Sequence, residues 1–464
     1  MFVLPEDVRI RFALNGPIRT NLFLDPRKLI DQKRRERLFP ELEKNLGRDG
    51  KWQWACCPDG QRTSGLDRDT DTRRGTTIKP PYVVESLITD EDYLEEIKQT
   101  LLKQAGESVT EKIGEVSLQK IRVHFFDFGY ATFWADFHLS RKPASQLTLD
   151  GLREGIEALA GNIKEIGPIF DLMRVQLESA ASLPDHEDGD LIKGPTSEKI
   201  RMKDTGVTWV HRVFGLQFSD PRALSEACDN ISDLIFTSSQ EDLHRDRESV
   251  HEHSHIYVST GNSASLFSSA DEEGAWCSFS TLSEMIQMQN AFFAAAEDLE
   301  DDLFLMTSNV SLGKDRISEK TGLLRRKKSQ ENKGIDDFSR DIVVLLEEGI
   351  LFKSAFLDYG NHLNPQETEI WKRLGKRWGT EDKFAHIDEK SDSLRVVYDR
   401  IITIIDQKKS EFLNKFALGF TLMGGISVVV DVTSVIYDLR WPSAVSIFSL
   451  FIAALIYYRV SQRM

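Results

Sequence analysis

Apolar and polar residues alternate over Val8–Leu14, the period of a strand with one buried face. Two aromatic-rich runs, Ile121–Phe128 and Tyr130–Leu139, meet at Gly129 and predict paired strands. Further strands are expected at Val207–Phe218, His255–Thr260 and Ala275–Ser280. Spacing of three and four marks helices over Leu94–Leu102, over Thr148–Ala180 as one long helix or as two broken near Gly167 and Pro168, and around Pro221–Ile231. Residues 59–79 and 182–200 are polar and read as a loop and a linker. Residues 1–275 therefore predict an α/β domain.

After Ser280 the pattern turns helical and stays so. Thr281 and Glu284 have the spacing of a capping box. Met285, Phe292, Ala296, Leu299, Leu303 and Met306 then mark one face of a long helix. Residues 310–335 read as a polar connector, Asp336–Leu357 as a second helix, and Gly360 and Pro365 as its end. A third helix is expected from Gln366 to Lys415, interrupted near Gly379, with no breaker before the apolar segment that follows. The expected division is a helical bundle over 276–365, a stalk over 366–415 and a membrane hairpin over 416–464.

Charge sharpens that division. The 464 residues carry a net charge of −15, and 29% of them are charged, yet charge almost vanishes after Phe416. Phe416–Tyr437 holds one charge, Asp431, and at the α-helical rise spans about 33 Å. Trp441–Tyr458 is uncharged and spans about 27 Å. Only Asp438, Leu439 and Arg440 separate them, so the two predict a transmembrane hairpin. Lys408, Lys409 and Lys415 before it, with Arg459 and Arg463 after it, place both termini in the cytoplasm by the positive-inside rule. The expected location is the cell (inner) membrane, as a multi-pass protein. Met1–Asp7 has neither the basic nor the apolar region of a signal peptide. The acidic balance argues against nucleic acid as a partner. Cys56, Cys57, Cys228 and Cys277 form no CxxC and are expected as free thiols.

Within the first span, Ser427, Asp431, Ser434 and Asp438 recur at i, i+4, i+7 and i+11, and Gly424 extends the row backward. These positions share one side of a helix. An acid at membrane depth faces a bundle interior or a water path. A single hairpin offers neither, so the row implies several copies around an axis, with Asp431 and Asp438 stacked as rings that attract cations. The competing reading is packing: Asp431 hydrogen-bonded to Ser443, Ser446 or Ser449.

Other constellations are weaker. Glu297, Asp298, Glu300, Asp301 and Asp302 cluster on the first long helix; Glu297, Asp298 and Asp301 are candidate ligands for a divalent cation such as Mg2+, against the reading of a solvated helix face. His251, His253 and His255 alternate and carry a metal reading only if one strand holds all three. Asp67, Asp69 and Asp71 lack the glycine and glutamate of an EF-hand loop. Arg325–Lys328 reads as a solvated linker or a contact for anionic lipid or a nucleotide phosphate. No Walker loop, GxSxG elbow or HExxH occurs, so no enzyme is expected.

An N-terminal α/β domain, long helices, an unbroken stalk and two C-terminal spans with a basic tail resemble the CorA-type magnesium channel superfamily. The resemblance is strongest over about residues 280–464. In that family the first span ends in Tyr-Gly-Met-Asn. Here the place reads Ile436, Tyr437, Asp438, Leu439 and Arg440, so Tyr437 fits and Gly-Met-Asn is absent. The resemblance implies a cytoplasmic body, a homo-pentamer, a lipid bilayer as surroundings and a pore lined by the first span; the missing motif leaves ion selectivity open. Divergent members of the superfamily are similar to membrane effectors of bacterial antiviral defence whose soluble domain senses a small nucleotide. The expected function is a cation channel or transporter gated by a ligand- or ion-sensing domain. The alternatives are a membrane-permeabilising defence effector and a membrane-anchored scaffold without transport.

Overall fold

The computed structural model describes residues 2–24, 32–47, 51–56, 83–105, 107–141, 146–182, 191–192, 204–235, 248–251, 254–268, 276–320, 328–361 and 363–437. An N-terminal α/β sheet domain is followed by helices.

The sheet has ten strands: β1 (Arg9–Phe23), β2 (Gln53–Cys56), β3 (Val84–Ile88), β4 (Glu115–Phe125), β5 (Phe128–Arg141), β6 (Gly206–Val207), β7 (His211–Phe218), β8 (Glu248–His251), β9 (Ser254–Tyr257) and β10 (Asn262–Ser268). Their order is β2-β3-β4-β5-β1-β7-β10-β9-β8, with β6 beside β1. All pairings are antiparallel except β7 with β10. The hairpin expected at Gly129 is present. Gly129 has φ 85, and a Cβ there would lie 2.6 Å from the Phe23 ring, so only glycine fits. β1 runs well beyond Leu14 because β5 and β7 bury it on both edges. Its register with β5 shifts between Arg19 and Phe23, where Asn21 takes φ 53.

One face of the sheet is apolar. Ile10, Phe12 and Leu14 of β1, Val123 and Phe125 of β4, Phe133 and Phe137 of β5, and Phe214 and Leu216 of β7 belong to one buried core. It is closed by α1 (Gln32–Leu46), α2 (Glu91–Ala105), α3 (Glu107–Ile113), α4 (Leu149–Gly161), α5 (Gly167–Ala181) and α6 (Pro221–Asp229). The predicted helix over Thr148–Ala180 is two helices, but the break comes at Asn162 and the 3-10 turn Ile163–Ile166, before Gly167 and Pro168. Pro168 instead opens α5, where its missing N–H costs no helical bond.

Two expectations are corrected. Ala275–Ser280 is not a strand: residues from Cys277 onward belong to α7 (Cys277–Lys320). Trp276 and Phe279, three apart, both pack on Gly215, a helical spacing that the short run disguised as alternation. The strand is Asn262–Ser268, whose serines have low β-propensity but fit because Ser263 and Ser265 are fully buried between layers. Thr281 and Glu284 consequently lie inside α7 and cap nothing.

α8 (Lys328–Asn361), α9 (Pro365–Trp378) and α10 (Thr380–Tyr437) complete the described chain. Much of the expected connector 310–335 is helical, as the ends of α7 and α8; residues 321–327 lie outside the described residues. Gly360 sits within α8, where the Trp371 indole approaches to 3.2 Å of where a Cβ would be. Asn364 and Glu367 form a reciprocal capping box, with both hydrogen bonds at 2.9 Å. Gly379, at φ 68, ends α9 in the left-handed conformation, and α10 starts on the next residue.

The chain divides into two compact units, Met1–Asp302 with Gly349–Ile387, and Leu303–Glu348 with Asp388–Met464. In the first, Phe292 of α7 is ringed by Phe126, Phe128, Phe352, Phe356, Tyr359 and Trp371, with centroids 5.3–6.5 Å away. Among the described residues no helix is long and apolar enough to cross a membrane. The first expected span enters only as helical backbone to Tyr437, and the second, 441–458, lies outside the described residues.

Candidate functional site: a polar seam and a long helical arm

The second face of the sheet is polar and buried. Alternation that puts Val123 and Phe125 in the core turns Arg122 and His124 the other way. The same rule exposes Thr132, Trp134 and Asp136 of β5, Arg11 and Asn15 of β1, and His211 of β7 to that side. The sheet's polar side is covered by α7, whose residues Phe279, Ser283, Gln287, Asn290 and Asp298 fall on one helical stripe.

The seam can be followed residue by residue. At one end the Arg11 guanidinium lies 4.9 Å from the Trp276 ring and 5.6 Å from Phe279, while bonding Asp136 at 2.7 Å. Ser278 and Ser265 share a hydrogen bond of 2.7 Å. In the middle, Gln287 Nε2 donates to the Thr132 carbonyl at 3.4 Å, and Trp209 Nε1 donates to Asn290 Oδ1 at 2.9 Å. At the far end Arg19 grips Asp298 with two bonds of 2.9 Å, and the Tyr130 hydroxyl donates to the same carboxylate. Burial and the Asp298 charge push the Tyr130 phenol far above its ordinary range, so it stays a donor.

The buried charges are paired. Glu85 is fully buried and meets Arg122 at 3.0 Å, with His124 Nε2 at 3.7 Å. Burial holds the His124 pKa below its ordinary value against the pull of Glu85. His211, also buried, bonds Ser263 at 3.0 Å, and burial, aided by Arg212, lowers its pKa to about 3. Asn15 is wholly buried, and neither of its amide atoms finds a hydrogen-bond partner among the described residues.

The acidic cluster on α7 is distributed rather than focused. Asp298 turns to Arg19 and Tyr130. Glu297 and Glu300 turn to Lys383 at 3.3 and 3.6 Å, and His386 lies 3.7 Å from Glu300. Asp301 is exposed. Among the described residues no three His, Cys, Asp or Glu are grouped to hold a metal. His251 and His255 fall on neighbouring strands, β8 and β9, and His253 lies outside the described residues. Cys56, Cys228 and Cys277 form no disulfide among the described residues, and burial, then Glu43, pushes the Cys56 thiol well above its ordinary value, which makes it a poor nucleophile.

The arm is α10. Positions 424, 427, 431 and 434 all lie in its helical backbone, but the side chains of Gly424, Ser427, Asp431 and Ser434, and all of Asp438, lie outside the described residues. Sequence reasoning missed the seam because its residues sit on separate strands, and alternating polar positions ordinarily mark a solvent face. Compared with models of protein families and with curated proteins, the chain matches none.

Proposed function

We propose that the chain is one subunit of a homo-oligomeric membrane cation channel or transporter of CorA-like architecture, with its α/β body as a cytoplasmic gating domain. The observation that carries this reading is α10. It begins at Thr380, directly after Gly379, and runs as one helix of 58 residues through the whole first apolar segment. At the α-helical rise that is about 87 Å, enough for a stalk and a membrane span in one rigid element. A helix without a break keeps positions 424, 427, 431 and 434 on one side, so copies arranged about an axis present Asp431 as a ring toward a shared path. The polar seam and the Arg19–Asp298 pair supply what a gating body needs, a helix held by contacts that a ligand can exchange for others.

Reconstitution into planar bilayers tests the reading. The wild-type chain should conduct K+ or Mg2+ in preference to Cl−, and Asp431→Asn should lower the cation-to-anion permeability ratio several-fold. A particle of one or two chains with no conductance would leave a membrane-anchored scaffold instead.

A further inference from the structure

On the apolar side of the sheet, where β1 pairs with the short strand β6, the surface opens into a groove of about 710 Å³ beside the start of α5. That volume suits a small organic molecule. Its apolar wall includes Ile18, Val207, Leu172 and Val175, and the last two stand 58% and 50% exposed. Three cations, Arg19, Lys164 and Arg174, line the same groove with one carboxylate, Asp171, in a chain whose net charge is −15.

The cations are not equivalent. Arg174 is engaged by Asp171 at 3.1 Å and Glu178 at 2.9 Å. Arg19 is engaged by Asp298. Lys164 has no ion-pair partner among the described residues. We propose that this groove binds a small organic anion, its aromatic or aliphatic body against Leu172 and Val175 and its phosphate or carboxylate head on Lys164. The groove lies in the α/β body, and its occupancy is read without a conductance measurement, so this inference stands or falls apart from the channel reading.

Isothermal titration calorimetry of the full chain in phosphatidylcholine nanodiscs tests it, with naphthyl phosphate as probe and inorganic phosphate and naphthol as half-probes. One saturable site per chain is expected for naphthyl phosphate, with much weaker binding of either half. Affinity should fall about tenfold in Lys164→Ala and in Leu172→Ser. Discs containing phosphatidic acid separate the sources: unchanged affinity assigns the groove to a soluble anion, and competition assigns it to a lipid phosphate. The absence of a saturable site in the wild type overturns the proposal. So does binding that both Lys164→Ala and Leu172→Ser leave intact, or a groove filled by a second copy of the chain, seen as affinity that rises on dilution.

Discussion

Asn15 and His211 face each other across the β1–β7 register and carry opposite lessons about burying polar groups. The Asn15 amide has no hydrogen-bond partner among the described residues at zero exposure, a state that costs about 1–3 kcal/mol. Asn15→Leu, of similar volume, should therefore raise stability by about 1 kcal/mol, read as a higher urea midpoint with an unchanged slope. His211 is folded neutral with a pKa near 3. Its unfolded counterpart takes a proton below about pH 6.5, so its contribution is complete above that pH and is lost as pH falls toward 3. The loss has a limiting slope of about 1.4 kcal/mol per pH unit. His211→Gln keeps a side chain able to bond Ser263 but cannot titrate. Denaturation curves between pH 7 and 5 should show a shallower acid loss in the variant, and parallel curves would sink the assignment.

Among the elements, the junction at Gly379 is the most sharply specified. Its φ of 68 suits glycine, and a Cβ there would meet only Asp382 at an ordinary 3.7 Å. The penalty of Gly379→Ala is thus conformational, about 1 kcal/mol, and Gly379→Asn should cost less; thermal melts of the two variants decide it. This junction was legible in the sequence, as was the Gly129 hairpin, because glycine acts locally; Pro365, expected to end one helix, opens the next. Asn262–Ser268 was not legible, since its serines are chosen by the tight space between the sheet and its covering layer, as where Ser265 meets Ser278 of α7, rather than by strand propensity. Ala275–Ser280 misled because six residues cannot separate a period of two from one of 3.6. The partners of the α7 acids were hidden for another reason: Arg19 lies 279 residues before Asp298, and nothing local joins them. The row from Gly424 to Asp438 is readable from spacing alone, and its side chains lie outside the described residues.

For the whole molecule, the sheet with opposite faces of opposite character sets an order of events during synthesis. The ribosome releases the N-terminal residues first. By the time Ser268 has emerged, every strand and α1–α6 are available, and the apolar core can close without any later residue. What this half-finished protein turns toward water includes Arg11, Arg122, His124, Thr132 and Asp136, with Trp134 among them. α7 can therefore arrive late and dock onto a wet, charged platform. The apolar segment that starts at Phe416 is made after the core of the sheet domain is complete.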